Sequence, residues 1–185
     1  IAPMEAADED EQPRRSKIDR IPSLRPAFKK DGTITAANAS SISDGASALV
    51  IGDETAAREA GAEPLARIVG HATHSIHPSK FTIAPVGAIE KLLAKVGWQK
   101  DEVDLFEINE AFAMVTMLAI RELDLDPTKV NLYGGACAQG HPIGSTGSRL
   151  IVTLAQALKA TGSRRGVAAL CIGGGEATAV AIERA

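Results

Sequence analysis

The sequence predicts an α/β fold built on a largely parallel sheet. Two observations carry that expectation. Apolar runs of strand length, at 48–51, 65–76, 103–108, 167–172 and 177–183, alternate with helix-length segments. The run Val167-Ala168-Ala169-Leu170-Cys171-Ile172 is continuously apolar, the pattern of a strand buried on both faces.

Taken in order, residues 1–20 mix both charge signs and carry proline, with no apolar period. They read as an exposed arm or an excised loop. Pro22 and Pro26 keep the next segment extended. Asp31-Gly32 signals a turn, and Thr33-Ile34-Thr35 a short strand. Asn38 to Gly45 is a cluster of small polar residues with the composition of a capping loop. The run 48–51 predicts a buried strand, and 53–60 a short helix closed by Gly61. A long strand follows over 65–76, then a helix over 85–96 with Ile89, Leu92, Leu93 and Val96 inward. His71, His74 and His77 recur at three-residue spacing. A strand sends the first two to opposite faces, so no metal site is expected. After the strand 103–108, Asn109-Glu110-Ala111-Phe112-Ala113 opens an almost wholly apolar helix to residue 123, which predicts burial all round. A helix over 150–159 repeats Leu150, Leu154 and Leu158 on one face, with Arg149, Thr153, Gln156 and Lys159 largely on the other.

Composition narrows the function. A formal net charge of −3 gives no electrostatic footprint for nucleic acid or an anionic membrane. No apolar run reaches membrane-spanning length. Two cysteines, Cys137 and Cys171, make no disulfide framework and suit a reducing, cytoplasmic compartment. The chain starts at Ile1, which suggests a piece of a longer polypeptide.

Chemistry concentrates in three places. Gly134 to Arg149 packs five glycines, Pro142 and His141 into a loop feeding the helix at 150. The positive end of a helix favours a neutral imidazole, the form a general base needs. Cys171 ends a buried strand ahead of Gly173-Gly174-Gly175, whose N–H groups can hold a developing oxyanion. Asn109 follows a strand. Positions after strands gather at the carboxyl edge of an α/β sheet, where sites form. Histidine, thiol, amide and glycine backbone are parts for acyl chemistry. Each also has a plainer reading: Asn109 as a helix cap, Cys171 as a packed core thiol, His141 as a bridge between loop carbonyls.

Asn109-Glu110-Ala111-Phe112-Ala113, the loop from Gly134-Gly135 through Gly140-His141-Pro142-Ile143-Gly144 to Gly147, and Cys171-Ile172-Gly173-Gly174-Gly175 resemble the three C-terminal signatures of thiolases, in their order and spacing. Asp31 to Ser40 with Asp44-Gly45-Ala46 is similar to the same family. The resemblance implies a layered αβαβα sandwich of two similar halves. It implies that residues 1–42 are the charged arm and end of a loop domain, 43–64 the end of the first half, and 65–185 the C-terminal domain. It implies acetyl transfer between coenzyme A thioesters, by Claisen condensation or thiolysis, without a cofactor. His141 would activate the nucleophile and Cys171 would move the α-carbon or thiol proton. Asn109, through a water and with His141, would form one oxyanion hole, and the Gly173 N–H would serve the other. Ser40 would touch the pantetheine and Phe112 the acyl end. The implied partners are the first half of the same protein and further copies, as a homodimer or homotetramer. The family's nucleophilic cysteine belongs to the first half, and Cys137 is not its match. Gln139 and Glu176 stand where the family more often has apolar residues. Two other readings compete: a thiolase-like acyl-CoA or lipid carrier without catalysis, and a hydrolase using Cys171 as nucleophile. The hydrolase requires Cys171 to be acidic and open to solvent.

Overall fold

A computed structural model of the chain describes residues 9–185; the arm's Glu5 and Asp8 lie outside the described residues. What is described of the arm is not featureless. Asp10 accepts from the Gln12 N–H at 3.0 Å and caps a one-turn helix, α1 (Glu11–Arg15), none of whose residues is buried. A 3₁₀ turn follows at Ile18–Ser23. Residues 33–35 and 48–51 form no strand. Val50 and Ile51 are exposed, and no neighbouring strand reaches them among the described residues. Helix α2 (Glu54–Glu59) starts where Asp53 accepts from the Ala56 N–H at 2.7 Å.

The remainder is a four-stranded sheet between helices. Its strands are β1 (Ala66–Ser75), β2 (Leu105–Ile108), β3 (Arg165–Ile172) and β4 (Glu176–Arg184), in spatial order β1-β4-β3-β2. The prediction of a largely parallel sheet is corrected. Only β2 and β3 run parallel; β4 is antiparallel to both β3 and β1. The cause is Gly173-Gly174-Gly175, which closes a three-residue hairpin with Ile172 paired to Glu176. Gly175 has φ +96°, and a Cβ there would meet the Ile76 carbonyl at 2.2 Å. No other residue fits without moving that backbone.

Helices α3 (Ala84–Val96) and α4 (Ala113–Leu123) cover one face. There Ile89, Leu92, Val115 and Ala119 meet Phe106, Ile108, Val167, Ala169 and Cys171. On the opposite face lies α6 (Thr146–Thr161), which follows the short α5 (Ala136–Gln139). Its Leu150, Leu154 and Leu158 meet Leu105, Ala168 and Ile182. Alternation along β3 feeds both cores, which is what its unbroken apolar run requires. Helix α3 ends at Gly97, whose φ of +71° makes the left-handed cap. Helix α4 is not buried all round: Val115, Thr116 and Ala119 are buried, whereas Met117 is exposed.

Candidate active site

The carboxyl ends of the parallel strands β2 and β3 share one edge, and three loops meet there. Asn109 extends the ladder one residue past β2, its N–H donating to the Ala169 carbonyl at 2.9 Å. Asn131 fastens the same strand end. Its Oδ1 accepts from the Ile108 N–H at 2.8 Å, while its Nδ2 donates to the Ile108 carbonyl at 2.9 Å and to Glu110 Oε1 at 3.1 Å. Asn109 is therefore a buried member of the sheet edge, 1% exposed, and not the cap of α4. Phe112 takes that position.

The polar stretch from Asn38 does more than cap a helix. Ala39 bridges to Phe112 and Ile42 to His141. The Ser40 N–H and Oγ both donate to the Ala111 carbonyl, at 3.1 and 3.0 Å, and the His141 N–H donates to the Ser41 carbonyl at 2.9 Å. One extended segment thus ties the Asn109 loop to the His141 loop. Gly140 makes the approach possible: its φ is +88°, and a Cβ would stand 2.1 Å from Ser43 Oγ.

Within this frame Asn109 Nδ2 lies 3.3 Å from His141 Nε2, and His141 Nδ1 lies 2.6 Å from Thr146 Oγ1. Thr146 donates its hydroxyl to the Pro142 carbonyl at 3.0 Å. Its oxygen is then left to accept, which puts the ring proton on Nδ1 and the lone pair on Nε2, facing Asn109 Nδ2. At the other end Arg149 Nη2 donates to Asn109 Oδ1 at 3.4 Å. Arg149 is thus turned inward instead of lying on the solvent side of α6, as its helical position suggested.

Burial lowers the His141 pKa below the usual histidine value, and the Arg149 charge lowers it further. The ring is neutral at physiological pH, by desolvation and a neighbouring cation more than by a helix end. Burial raises the Cys171 pKa, so this thiol keeps its proton. Cys171 is 7% exposed and packs in the core beneath α3 and α4. A hydrolase using Cys171 as nucleophile needs the reverse on both counts, and that reading is set aside. Cys137 is no better: burial first, and the Glu110 charge next, push its thiol up to about 11.

Cys171 lies two residues beyond Ala169, the residue that holds Asn109, and so at the same sheet edge. Gly173 opens the hairpin turn with free space where a side chain would be. Phe112 makes edge-on contacts with Phe28 and Phe81, centroids 6.0 and 6.2 Å apart. Ser40 stands beside it, its hydroxyl spent on Ala111. His71 and His74 do not converge: His71 is exposed, while the His74 ring lies over Gly87. Among the described residues no three His, Cys, Asp or Glu groups could hold a metal ion.

The thiolase C-terminal domain profile matches residues 62–184, and the thiolase N-terminal domain profile matches residues 2–55. The chain belongs to the thiolase family. It is 49% identical over 176 residues to a probable acetyl-CoA acetyltransferase of Dictyostelium discoideum, covering 95% of this chain and 42% of that protein. It is 48% identical to the cytosolic acetyl-CoA acetyltransferase of Mus musculus, covering 95% of this chain and 45% of that one. Among solved thiolase structures, the Bacillus anthracis acetyl-CoA acetyltransferase superposes with a TM-score of 0.92 at 46% identity, over 96% of this chain and 45% of that one. Human mitochondrial 3-ketoacyl-CoA thiolase in complex with CoA gives 0.88 at 42% identity, over 96% and 45%. The chain spans less than half the length of these thiolases.

Sequence reasoning missed four polar residues of this edge: Glu107, Asn131, Thr146 and the inward role of Arg149. Two had a signal. Glu107 is a carboxylate inside an apolar strand, and a buried carboxylate needs a reason. Thr146 stands five residues after His141 across a turn, where the two side chains can meet. Asn131 and Arg149 depend on contacts far apart in sequence.

Proposed function

We propose that this chain supplies the acid–base half of a thiolase that transfers acetyl groups between coenzyme A thioesters, by Claisen condensation or its thiolytic reversal. The observation that carries the reading is the 3.3 Å contact of Asn109 with a neutral His141 whose Nδ1 is already engaged. In this reading His141 Nε2 takes the proton from a nucleophilic cysteine carried by the first half of the protein. The thiolate attacks the thioester carbonyl, and the coenzyme A thiolate leaves. Cys171, kept as a thiol by burial, gives or recovers the proton at the α-carbon or the leaving sulfur. A water fixed by Asn109, together with His141 once its Nε2 is protonated, faces one oxyanion, and the Gly173 N–H faces the other. Ser40 and Phe112 border the pantetheine and acyl end of the substrate. No cofactor takes part; the coenzyme A thioester is the substrate.

The partner is the first half of the same protein, within a homodimer or homotetramer. The exposed Leu49, Val50 and Ile51 support such a neighbour. They are an apolar run left open to solvent, with room for a neighbour to cover them. The reading puts the enzyme in the cytoplasm, supported by two free cysteines and by a mouse relative described as cytosolic.

The test is to assay thiolysis of acetoacetyl-CoA by residues 1–185 alone and coexpressed with the first half. The chain alone is inactive, and coexpression restores activity. In the complete enzyme His141→Ala loses roughly 10²–10⁴-fold, the size of a lost general base. Cys171→Ser leaves enzyme acylation by labelled acetyl-CoA intact and cripples condensation. Thiolase activity in a well-behaved monomer of this chain, or near wild-type turnover by His141→Ala, would overturn the reading.

A further inference from the structure

Arg149 is not explained by the roles above. Its guanidinium is half-buried on α6, and Nη1 is enclosed without a hydrogen-bond partner among the described residues. Its one side-chain hydrogen bond among the described residues runs from Nη2 to Asn109 Oδ1, at 3.4 Å. An arginine is a donor at every nitrogen, so it can face only the oxygen of that amide. The amide nitrogen is then turned to His141 Nε2, which must accept. From the opposite end, the Pro142 carbonyl orders Thr146, and Thr146 orders Nδ1. The row Arg149, Asn109, His141, Thr146, Pro142 has one consistent direction of donation. A group that could accept in place of Arg149 would let the amide flip and the tautomer change.

Glu107 is the other enclosed charged group of this edge, and it makes no ion pair or hydrogen bond with Arg149 among the described residues. It is 2% exposed on β2, with its side chain on the α6 side of the sheet. Burial raises its pKa to about 7, Arg149 pulls it down, and Glu110 raises it. Glu107 and Glu110 in turn hold Arg149 against the cost of its own burial. The titratable groups facing this cluster are thus His141 from its loop, Glu107 from β2 and Glu110 from the loop after β2.

Building on the thiolase reading, we propose that Arg149 is a positioning residue for acyl transfer: it orients the Asn109 amide and thereby fixes which nitrogen of His141 carries the proton. Arg149 touches no substrate in this scheme and acts through Asn109.

The experiment uses the complete two-half enzyme with Arg149→Met, Arg149→Lys, Glu107→Gln and His141→Ala. It reads kcat and KM for acetoacetyl-CoA thiolysis against pH, and the His141 tautomer by carbon-13 NMR of the ring. Arg149→Met lowers kcat about 10–10²-fold with KM little changed, the size of losing an outer partner of a reacting group. It also moves the acid limb to higher pH, since the cation no longer opposes protonation of His141, and mixes the tautomers. Arg149→Lys keeps the charge, and so the limb, and is likewise donor-only, so a lysine that reaches Asn109 Oδ1 keeps the single tautomer. An Arg149→Met enzyme with a wild-type limb and a single tautomer overturns the proposal. Should that variant not fold, Arg149→Gln, whose amide can also accept, takes its place, and the same two results overturn the proposal. An acid limb abolished by Glu107→Gln also overturns it, because the limb would then belong to Glu107. Failure of the thiolase reading looks different: His141→Ala would keep its turnover.

Discussion

Two apolar runs of this chain met opposite fates. Val167-Ala168-Ala169-Leu170 became the middle of β3, with neighbours on both edges and a core on each face. Ala48-Leu49-Val50-Ile51 forms no strand and pairs with none among the described residues, with Val50 fully exposed. Their local sequences are nearly interchangeable. What differs is the company each keeps. An apolar run states a demand for burial, and only the rest of the fold can meet it.

The strongest way to break the comparison is to place one charge in each run. Val167→Asp puts an unpaired carboxylate in a core that excludes water completely. It should cost more than about 4 kcal/mol and remove soluble chain even when the first half is coexpressed. Val50→Asp should leave solubility of the chain alone unchanged or better, because nothing is packed there. It should abolish copurification with the first half. Equal loss of soluble protein from both variants would mean that 48–51 is already packed.

A second contrast sharpens the role of the buried edge. Glu107 has a folded pKa raised to about 7. Between its ordinary value and that one, the folded state binds more protons than the unfolded chain, so stability falls as pH rises through this window. Glu107→Gln removes the loss. Above pH 8 the variant should be more stable by up to roughly 3 kcal/mol, and below pH 4 the difference should vanish. Urea midpoints across pH measure it. A wild-type stability that rises from pH 5 to 8 in parallel with the variant would refute the assignment.

Two glycines separate strain from space. Gly175→Ala meets both a positive φ and the Ile76 carbonyl, whereas Gly134→Ala meets a φ of +84° with nothing within 4 Å. The first should cost about 2–3 kcal/mol and the second about 1. Thermal melting of the two variants in the complete enzyme reads the difference.

The smallest effect concerns the seam between the regions. Ser47 Oγ lies 2.6 Å from both Ser145 Oγ and Ser148 Oγ at the start of α6. Ser47→Ala should cost about 1 kcal/mol. It should speed amide exchange in residues 41–52 while leaving β3 unchanged. Uniform exchange along the chain would show that the seam is not a boundary.

The sequence by itself determined the α/β class, the helices α3 and α6, the capping glycines Gly97 and Gly61, and the interest of Asn109, His141 and Cys171. These follow from local causes: the 3.6-residue period, the φ that glycine permits, and the few side chains that can move protons. It also carried the hairpin signal, but Gly173-Gly174-Gly175 reads equally as a row of N–H donors, so the direction of β4 was missed. Only the tertiary structure decided that two of three strand pairings are antiparallel, that Arg149 turns inward, and that 39–42 splices the Asn109 and His141 loops together. Apart from the β3–β4 hairpin, those outcomes rest on partners 40 to more than 100 residues away, such as Arg149 with Asn109, Ser40 with Ala111, and Ser75 with Glu176. A local pattern fixes how much a residue needs burial or a hydrogen bond. Which distant group satisfies it is settled when the chain closes on itself.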